Sequence, residues 1–353
     1  MNIGEIINKA LLDIAIEDPR SIFMAQGIND PSPVFGTLNN LRDHIPDSRL
    51  IEMPVAENGG IGVAVGAAMS GLRPIVSVHR VEFLLLALEQ LFNNAAKANF
   101  LSGGAYSVPI LVRAIIGRGW GQGPSHSQGF EGVFASIPGL KVICPSIPET
   151  AYDLVRNAYI DNAPVICLEH RWSHYSIGDI KKSKSFDQKV GPVLISQGGD
   201  LTIVSYGFLS LECILVVNEF KKIGIEIELI DLQMIRPLEL GSVFESVMKT
   251  RNLLVVDQGY KHLGLGAEIV SQVVENNIGV LQKAPVRLGL PNLPSPSSIS
   301  LAKDYYCTSI DIANAAADIL EISDKRITVL ESIENIRNAT PFDIPNQYFK
   351  GPF

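Results

Sequence analysis

Three side chains that could take part in proton transfer or ring binding follow successive apolar segments of the sequence. Glu57 lies between the segment that begins at Leu50 and a run rich in glycine and alanine, Phe83 follows the mostly apolar residues 75–78, and His126 lies in a glycine-rich stretch further on. A carboxylate, an aromatic face and an imidazole together suit a planar heterocycle that can be protonated. They also suit a reaction that needs proton transfer.

Each of these residues also has a purely structural interpretation. Glu57 could be a carboxylate favoured at the start of a helix by the helix dipole. Phe83 could be an ordinary core residue, and His126 could be an exposed loop residue. The elements that carry the three side chains decide whether they meet.

The predicted elements alternate between strands and helices. Helical spacing of apolar residues predicts an opening helix and a long helix, and short apolar runs predict strands. The helices span 3–17 and 81–102, and the strands span 21–27, 73–78, 108–114, 141–145 and 164–169. Glu57 lies at a further strand-to-helix corner, between the apolar run that begins at Leu50 and the glycine- and alanine-rich segment. This alternation predicts a mostly parallel, doubly wound α/β sheet. The carboxyl ends of parallel strands share one edge of a sheet, so Glu57, Phe83 and His126 should converge there.

A second, smaller doubly wound α/β domain is predicted after a polar, lysine-rich segment. The first domain covers residues 1–180, a linker with an edge hairpin covers 181–199, and the second domain covers 200–322. Residues 323–353 have little periodicity and are predicted to be a tail that wraps over another surface. The fold class is therefore α/β, with two doubly wound domains in one chain.

Composition excludes several classes of protein. The 353 residues carry a net charge of −8, which argues against a nucleic-acid-binding surface. No apolar run is long enough to span a membrane and the opening residues do not resemble a targeting segment, so we expect a cytoplasmic protein. The four cysteines are far apart and in apolar surroundings, which predicts small buried side chains and no disulfide or metal framework.

A series of motifs in the right order resembles the beta subunits of thiamine-diphosphate-dependent 2-oxoacid dehydrogenases, in the transketolase-like group. The motifs lie at 54–57, 71–75, 90–97, 102–104, 126–128, 138–142, 161–165, 200–207, 235–238 and 264–269. The resemblance covers residues 1–322. It implies a pyrimidine-binding domain followed by a transketolase C-terminal domain.

The resemblance also implies roles for the three side chains. The glutamate at position 57 would hydrogen-bond the aminopyrimidine ring of thiamine diphosphate and promote the tautomer that activates the thiazolium carbon. Phe83 would stack on that ring, and His126 would face the 2-oxo acid. A potassium ion would be held by main-chain carbonyls near Ile110, Ala158, Tyr159, Asp161 and Ala163.

One motif of the family is missing. Relatives hold the diphosphate through magnesium bound by a Gly-Asp-Gly motif and a later asparagine, and this sequence has no Gly-Asp-Gly. The resemblance therefore implies an alpha-type partner chain that carries this motif, with two copies of each chain and active sites between unlike chains. In such relatives the region of the C-terminal tail contacts a lipoyl acyltransferase.

The sequence is compatible with three functions. The first is a beta subunit that decarboxylates a 2-oxo acid and transfers the acyl group to lipoamide. The second is the C-terminal subunit of a split transketolase or an acyloin-type C2 transferase, and the third is a non-catalytic scaffold. Departures from the family pattern at Arg118, Trp120 and His79 leave the acceptor open. His79 is either a second polar group near the cofactor or only a strand-end residue.

Overall fold

A computed structural model of the chain describes residues 1–30, 35–118, 121–180, 191–277 and 279–349. These residues belong to two compact units. The first contains the described residues of 1–118 and 125–180, and the second contains 121–124 together with the described residues of 191–349. Residues 181–190 of the predicted linker, Trp120, and residues 350–353 of the predicted tail lie outside the described residues.

The first unit contains a parallel sheet with the strand order β2-β1-β3-β4-β6-β5. Its strands are β1 (Ser21–Ala25), β2 (Leu50–Glu52), β3 (Arg73–Val78), β4 (Leu111–Ile116), β5 (Lys141–Ile143) and β6 (Val165–His170). Its helices are α1 (Ile3–Glu17), α2 (Glu57–Met69), α3 (Val81–Leu84), α4 (Ala96–Leu101), α5 (Glu131–Ala135) and α6 (Pro148–Ile160). The doubly wound α/β class predicted for this part of the chain is confirmed.

The prediction of one continuous helix over 81–102 is wrong. After α3 the chain forms a 3₁₀ turn at Leu85–Ala87 and a π-helical segment at Gln90–Ala95 before α4 begins. The Gln90 side chain lies against Gly62 of α2 and donates a hydrogen bond to Asn58 at 3.3 Å. Apolar spacing shows which face of this segment is buried, but it does not determine how tightly each turn is wound.

The second unit contains a five-stranded sheet with the order β12-β11-β8-β9-β7. Its strands are β7 (Val193–Ser196), β8 (Leu201–Ser205), β9 (Ile227–Asp231), β11 (Leu253–Tyr260) and β12 (Val286–Leu290), and β10 (Met234–Arg236) is a further short strand of this unit. The strands of the sheet are parallel except for β7, which runs antiparallel to β9. The described part of the predicted hairpin is therefore an edge strand.

The described residues of the second unit also form six helices: α7 (Phe208–Lys222), α8 (Gly241–Thr250), α9 (Leu265–Asn277), α10 (Ile299–Tyr305), α11 (Ser309–Leu320) and α12 (Ser323–Arg337). Neither α10 nor α12 follows from the sequence periodicity. α12 packs against α7 and α11, and Val329 and Ile333 on it join the core of this unit. Residues 323–337 of the predicted tail are therefore a packed helix of the second unit.

The cysteines lie where the composition predicts. Cys144, Cys167 and Cys213 are fully buried, and Cys307 is half-buried against the core of the second unit. Within the described ranges no helix is both long and apolar enough to cross a membrane.

Candidate active site

Four neighbouring parallel strands of the first unit bring the predicted side chains to one edge of the sheet. Glu57 follows β2 and Phe83 follows β3, while His126 lies in the loop after β4. A fourth residue, the polar Gln26, directly follows β1, which lies between β2 and β3. The sheet therefore places all three predicted site residues at the carboxyl edge, together with a glutamine that the sequence did not single out.

Glu57 is the first residue of α2 and is only 1% exposed. The Nε2 of Gln26 donates a hydrogen bond to its Oε1 at 2.9 Å. The other oxygen, Oε2, is buried and has no hydrogen-bond partner among the described residues.

The position at the helix start fits the dipole interpretation of Glu57. However, leaving a buried carboxylate oxygen unpaired costs free energy that a purely structural residue would not incur. The unpartnered Oε2 therefore indicates a ligand that shares a hydrogen bond with it.

Phe83 and His126 contact each other at the same edge of the sheet as Glu57. Their ring centroids are 5.5 Å apart with an angle of 57° between the planes, and both side chains are half-buried. The Nδ1–H of His126 donates to the carbonyl of Ser125. A neutral His126 in this tautomer carries its available lone pair on Nε2, which can accept or return a proton. α2, which begins with Glu57, also packs against α3, which carries Phe83.

Two charged side chains hold the backbone around His126, and we call them the loop clamp: Arg80 and Glu82. The Nη1 of Arg80 donates to the carbonyl of His126 at 2.9 Å, and the Oε1 of Glu82 accepts the backbone N–H of Gln128 at 2.8 Å. Arg80 is 7% exposed. Burial lowers the pKa of Arg80 and raises the pKa of Glu82. Neither residue was predicted from the sequence. The feature that could have indicated them is a pair of charged residues shortly after a buried strand.

A buried ion pair lies within the sheet of the same unit. Arg113 on β4 and Glu169 on β6 form two hydrogen bonds, at 2.6 and 2.9 Å. Arg113 also donates to Ser77 on β3 at 3.0 Å and to Thr37 at 2.9 Å, and Nε2 of His174 lies 3.0 Å from Glu169. Burial opposes the ionised form of Glu169, but Arg113 and His174 outweigh it and hold the pKa of Glu169 at about 2. This network joins β3, β4 and β6.

His79 packs against the ring of Phe35. The two ring centroids are 5.8 Å apart in an edge-on arrangement, and the guanidinium groups of Arg80 and Arg171 lie 5.9 and 5.6 Å from the centre of the same phenyl ring. Burial, and then the nearby Arg113, lower the pKa of His79 to about 4. A neutral, packed imidazole agrees with the strand-end interpretation of His79.

Arg118, one of the departures from the family pattern, packs over the indole of Trp172 with 3.7 Å between the guanidinium carbon and the ring centre. It is 6% exposed. A stacked guanidinium of this kind stabilises the end of β4 and of β6.

Two of the five carbonyl groups predicted for potassium accept hydrogen bonds from a side chain. Nη1 of Arg73 donates to the carbonyls of Tyr159 and Asp161 at 2.8 and 3.1 Å, and the carbonyl of Ile110 accepts the backbone N–H of Val165 at 2.9 Å. A guanidinium therefore donates to two of the five carbonyls of the predicted set. The potassium site stays a prediction. Among the described residues no cluster of three or more His, Cys, Asp or Glu side chains is suited to a metal ion.

An aminopyrimidine ring fits the residues at the carboxyl edge. Such a ring offers a nitrogen that can share a proton with Oε2 of Glu57 and a flat face that can pack on Phe83. The unpartnered oxygen and the half-buried aromatic ring are the two features that this ligand requires.

Comparison with known proteins gives the family of the chain. Residues 1–174 match the transketolase pyrimidine binding domain, and residues 192–331 match the transketolase C-terminal domain. The chain is 34% identical over 309 residues to the pyruvate dehydrogenase E1 component subunit beta of Gracilaria tenuistipitata var. liui, which covers 87% of this chain and 96% of that protein. It is also 34% identical over 268 residues to the acetoin:2,6-dichlorophenolindophenol oxidoreductase subunit beta of Cupriavidus necator, covering 76% and 79%.

A solved structure with the same fold is a split-gene transketolase described as an inactive beta4 tetramer. It matches with a TM-score of 0.71 at 19% identity and covers 91% of this chain and 99% of that one. At this identity the match shows the fold alone. The sequence relatives are much more similar, and on their identity and coverage this chain belongs to the transketolase-like family of beta subunits that includes pyruvate dehydrogenase E1 component subunit beta.

Proposed function

We propose that the chain is the beta subunit of a two-chain thiamine-diphosphate enzyme that decarboxylates a 2-oxo acid and passes the acyl group to lipoamide. The observation that carries this proposal is the buried Glu57, whose Oε2 lacks a partner among the described residues, at the same sheet edge as the Phe83–His126 pair. Relatives named as subunits of pyruvate dehydrogenase and of an acetoin oxidoreductase support it.

When bound, thiamine diphosphate supplies a nucleophilic carbon and an electron sink for decarboxylation. Glu57 would hold its aminopyrimidine ring through Oε2, and Phe83 would fix the plane of that ring. His126, with Nε2 available, would exchange a proton with the oxygen of the 2-oxo group. The half-buried positions of Phe83 and His126 leave each one a face for these contacts.

The other end of the cofactor requires a second chain. This sequence lacks the Gly-Asp-Gly motif, so we propose that an alpha-type partner binds magnesium and the diphosphate, in an assembly with two copies of each chain. Contact with a lipoyl acyltransferase and a cytoplasmic location also belong to the proposal. Each active site would then be completed between unlike chains.

The second candidate is the C-terminal subunit of a split transketolase or acyloin-type C2 transferase. It shares the cofactor chemistry and differs in the acceptor, which would be an aldehyde. The split-gene transketolase shares the fold at 19% identity, whereas the dehydrogenase subunits share about a third of the sequence. We therefore favour lipoamide as the acceptor. A non-catalytic scaffold would not need an unpartnered buried carboxylate oxygen.

The test uses the chain assembled with its alpha-type partner, thiamine diphosphate and magnesium. Carbon dioxide release from a series of 2-oxo acids is measured with lipoamide, aldehydes or aldoses as the acceptor. Glu57→Gln should abolish turnover and leave the size of the assembly unchanged. Glu245→Gln, at an exposed position on α8, is the matched control. Near-normal turnover by Glu57→Gln would refute the role of Glu57, and transfer only to aldehydes would favour the second candidate.

A further inference from the structure

We propose that Gln26 is a positioning residue that determines which oxygen of Glu57 carries the shared proton. The proposal rests on the proposed function, because it concerns the bond from Glu57 to the aminopyrimidine ring. Its starting point is the asymmetry of this carboxylate: Oε1 accepts the 2.9 Å hydrogen bond from Gln26, and Oε2 is buried without a partner among the described residues.

The chemistry of the amide makes this asymmetry directional. The Nε2 group of glutamine only donates, so it requires an acceptor lone pair on the oxygen that it faces. If Glu57 took up a proton on Oε1, that O–H would point at the N–H of Gln26. The proton therefore belongs on Oε2. A carboxyl group protonated on Oε2 can donate to a ring nitrogen, and an ionised one can accept from a protonated ring nitrogen, so Glu57 serves both states without rotating.

The backbone of Gln26 is held on both sides. The preceding residue, Ala25, pairs with Glu52 on β2 and with Ser77 on β3. After Gln26, the carboxylate of Glu52 accepts the backbone N–H of Gly27 at 2.6 Å and that of Asn29 at 3.1 Å. Gly27 has a φ of +67°, a conformation that glycine adopts without strain. The side chain of Gln26 therefore starts from a fixed point and needs only its own rotamer to reach Glu57.

The test compares Gln26→Met and Gln26→Glu with the unaltered chain, each assembled with the partner chain and magnesium. Gln26→Met keeps a side chain of similar length and removes the donor. Gln26→Glu keeps the shape and replaces the donor with a second carboxylate. Gln272→Met, on α9 of the other unit, is the matched control. Thermal unfolding of each assembly shows whether a variant is folded.

The first readout is binding and does not depend on turnover. Calorimetry measures the affinity for thiamine diphosphate and for an analogue with carbon in place of the pyrimidine ring nitrogen that Glu57 faces. Gln26→Met should reduce the preference for thiamine diphosphate about ten- to hundredfold, because a hydrogen bond to a charged group orients Glu57. The affinity for the carbon analogue should not change.

The second readout is the pH profile of kcat. Two carboxylates within hydrogen-bond distance disfavour double ionisation, so Gln26→Glu should move the acidic limb of the profile upward by about one pH unit or more. Gln26→Met should lower kcat more than it changes KM. The control Gln272→Met should match the unaltered chain in both readouts.

Two results would overturn the proposal. An unchanged preference between the two ligands in Gln26→Met, with an unchanged pH profile in Gln26→Glu, would show that Gln26 has no effect on the proton of Glu57 while leaving the proposed function intact. Failure of the unaltered assembly to bind thiamine diphosphate would refute the proposed function, and the role of Gln26 with it.

Discussion

The loop clamp gives the sharpest prediction, which concerns the substitution Arg80→Met. Methionine keeps an apolar stem beside Phe35 and removes the donor that lies 2.9 Å from the carbonyl of His126. The other half of the clamp, the hydrogen bond from the N–H of Gln128 to Glu82, is left in place. The substitution therefore frees one end of the short segment that carries the imidazole.

The size of the effect follows from the burial of this contact. Arg80 is 7% exposed and His126 is half-buried, so the hydrogen bond to the carbonyl is partly shielded from water. A hydrogen bond from a charged group is worth about 1.5–3 kcal/mol. If that energy holds His126 in its reactive position, kcat/KM should fall about ten- to hundredfold in Arg80→Met. Glu57 and Phe83 do not depend on this contact, so the affinity for thiamine diphosphate should not change.

The assay measures decarboxylation of a 2-oxo acid by the assembled enzyme together with cofactor affinity by calorimetry. Glu82→Gln is the matched control, because the amide oxygen of glutamine can still accept the N–H of Gln128 and activity should stay near normal. An unchanged kcat/KM in Arg80→Met would refute the positioning of His126 by Arg80. An equal loss of cofactor affinity would show that Arg80 acts on the fold of the whole site instead.

Three further predictions concern stability. Arg113→Met removes the guanidinium from the buried Glu169 and leaves it only the contact with His174, so the free energy of unfolding should fall by about 3–5 kcal/mol in denaturant titrations. Folding lowers the pKa of His79 to about 4 and that of His170 to about 3. Below pH 6.5 the unfolded chain therefore binds more protons than the folded chain, and the free energy of unfolding should decrease as the pH is lowered. Since Arg73 occupies two of the predicted potassium carbonyls, exchanging NaCl for KCl should leave Tm unchanged, while Arg73→Met should lower it.

One substitution and two further measurements check these predictions. His79→Phe keeps a ring against Phe35 and removes the titration of His79, so the loss of stability between about pH 6.5 and 4 should become less steep and the remainder should come from His170; an equally steep loss would contradict the assignment. Below about pH 4.5, protonation of Glu169 in the unfolded chain should add a further loss down to about pH 2. A higher Tm in KCl than in NaCl would show that the carbonyls also bind potassium.

The sequence alone predicted most strands and helices of both units, because each element is an apolar run or a helical periodicity bounded by glycine, proline or polar residues. It also predicted that Glu57, Phe83 and His126 share one edge of a sheet, since each follows a predicted parallel strand. α2, for example, begins at Glu57 as the sequence indicated. The predictions of secondary structure were wrong in two kinds of place. Between α3 and α4 the same apolar spacing is compatible with α-, 3₁₀- and π-helical turns, and in α12 the apolar periodicity is weak.

Only the tertiary structure decided how the site is held. Gln26 and Glu57 are 31 residues apart, and Arg80 and His126 are 46 residues apart. No local pattern pairs such residues, because their contacts depend on the strand order β2-β1-β3-β4 and on which side chains face each other at its carboxyl edge. The residue types at the site can thus be identified from the sequence. The hydrogen bonds that orient Glu57 and His126, in contrast, form only when segments distant in the sequence fold against one another.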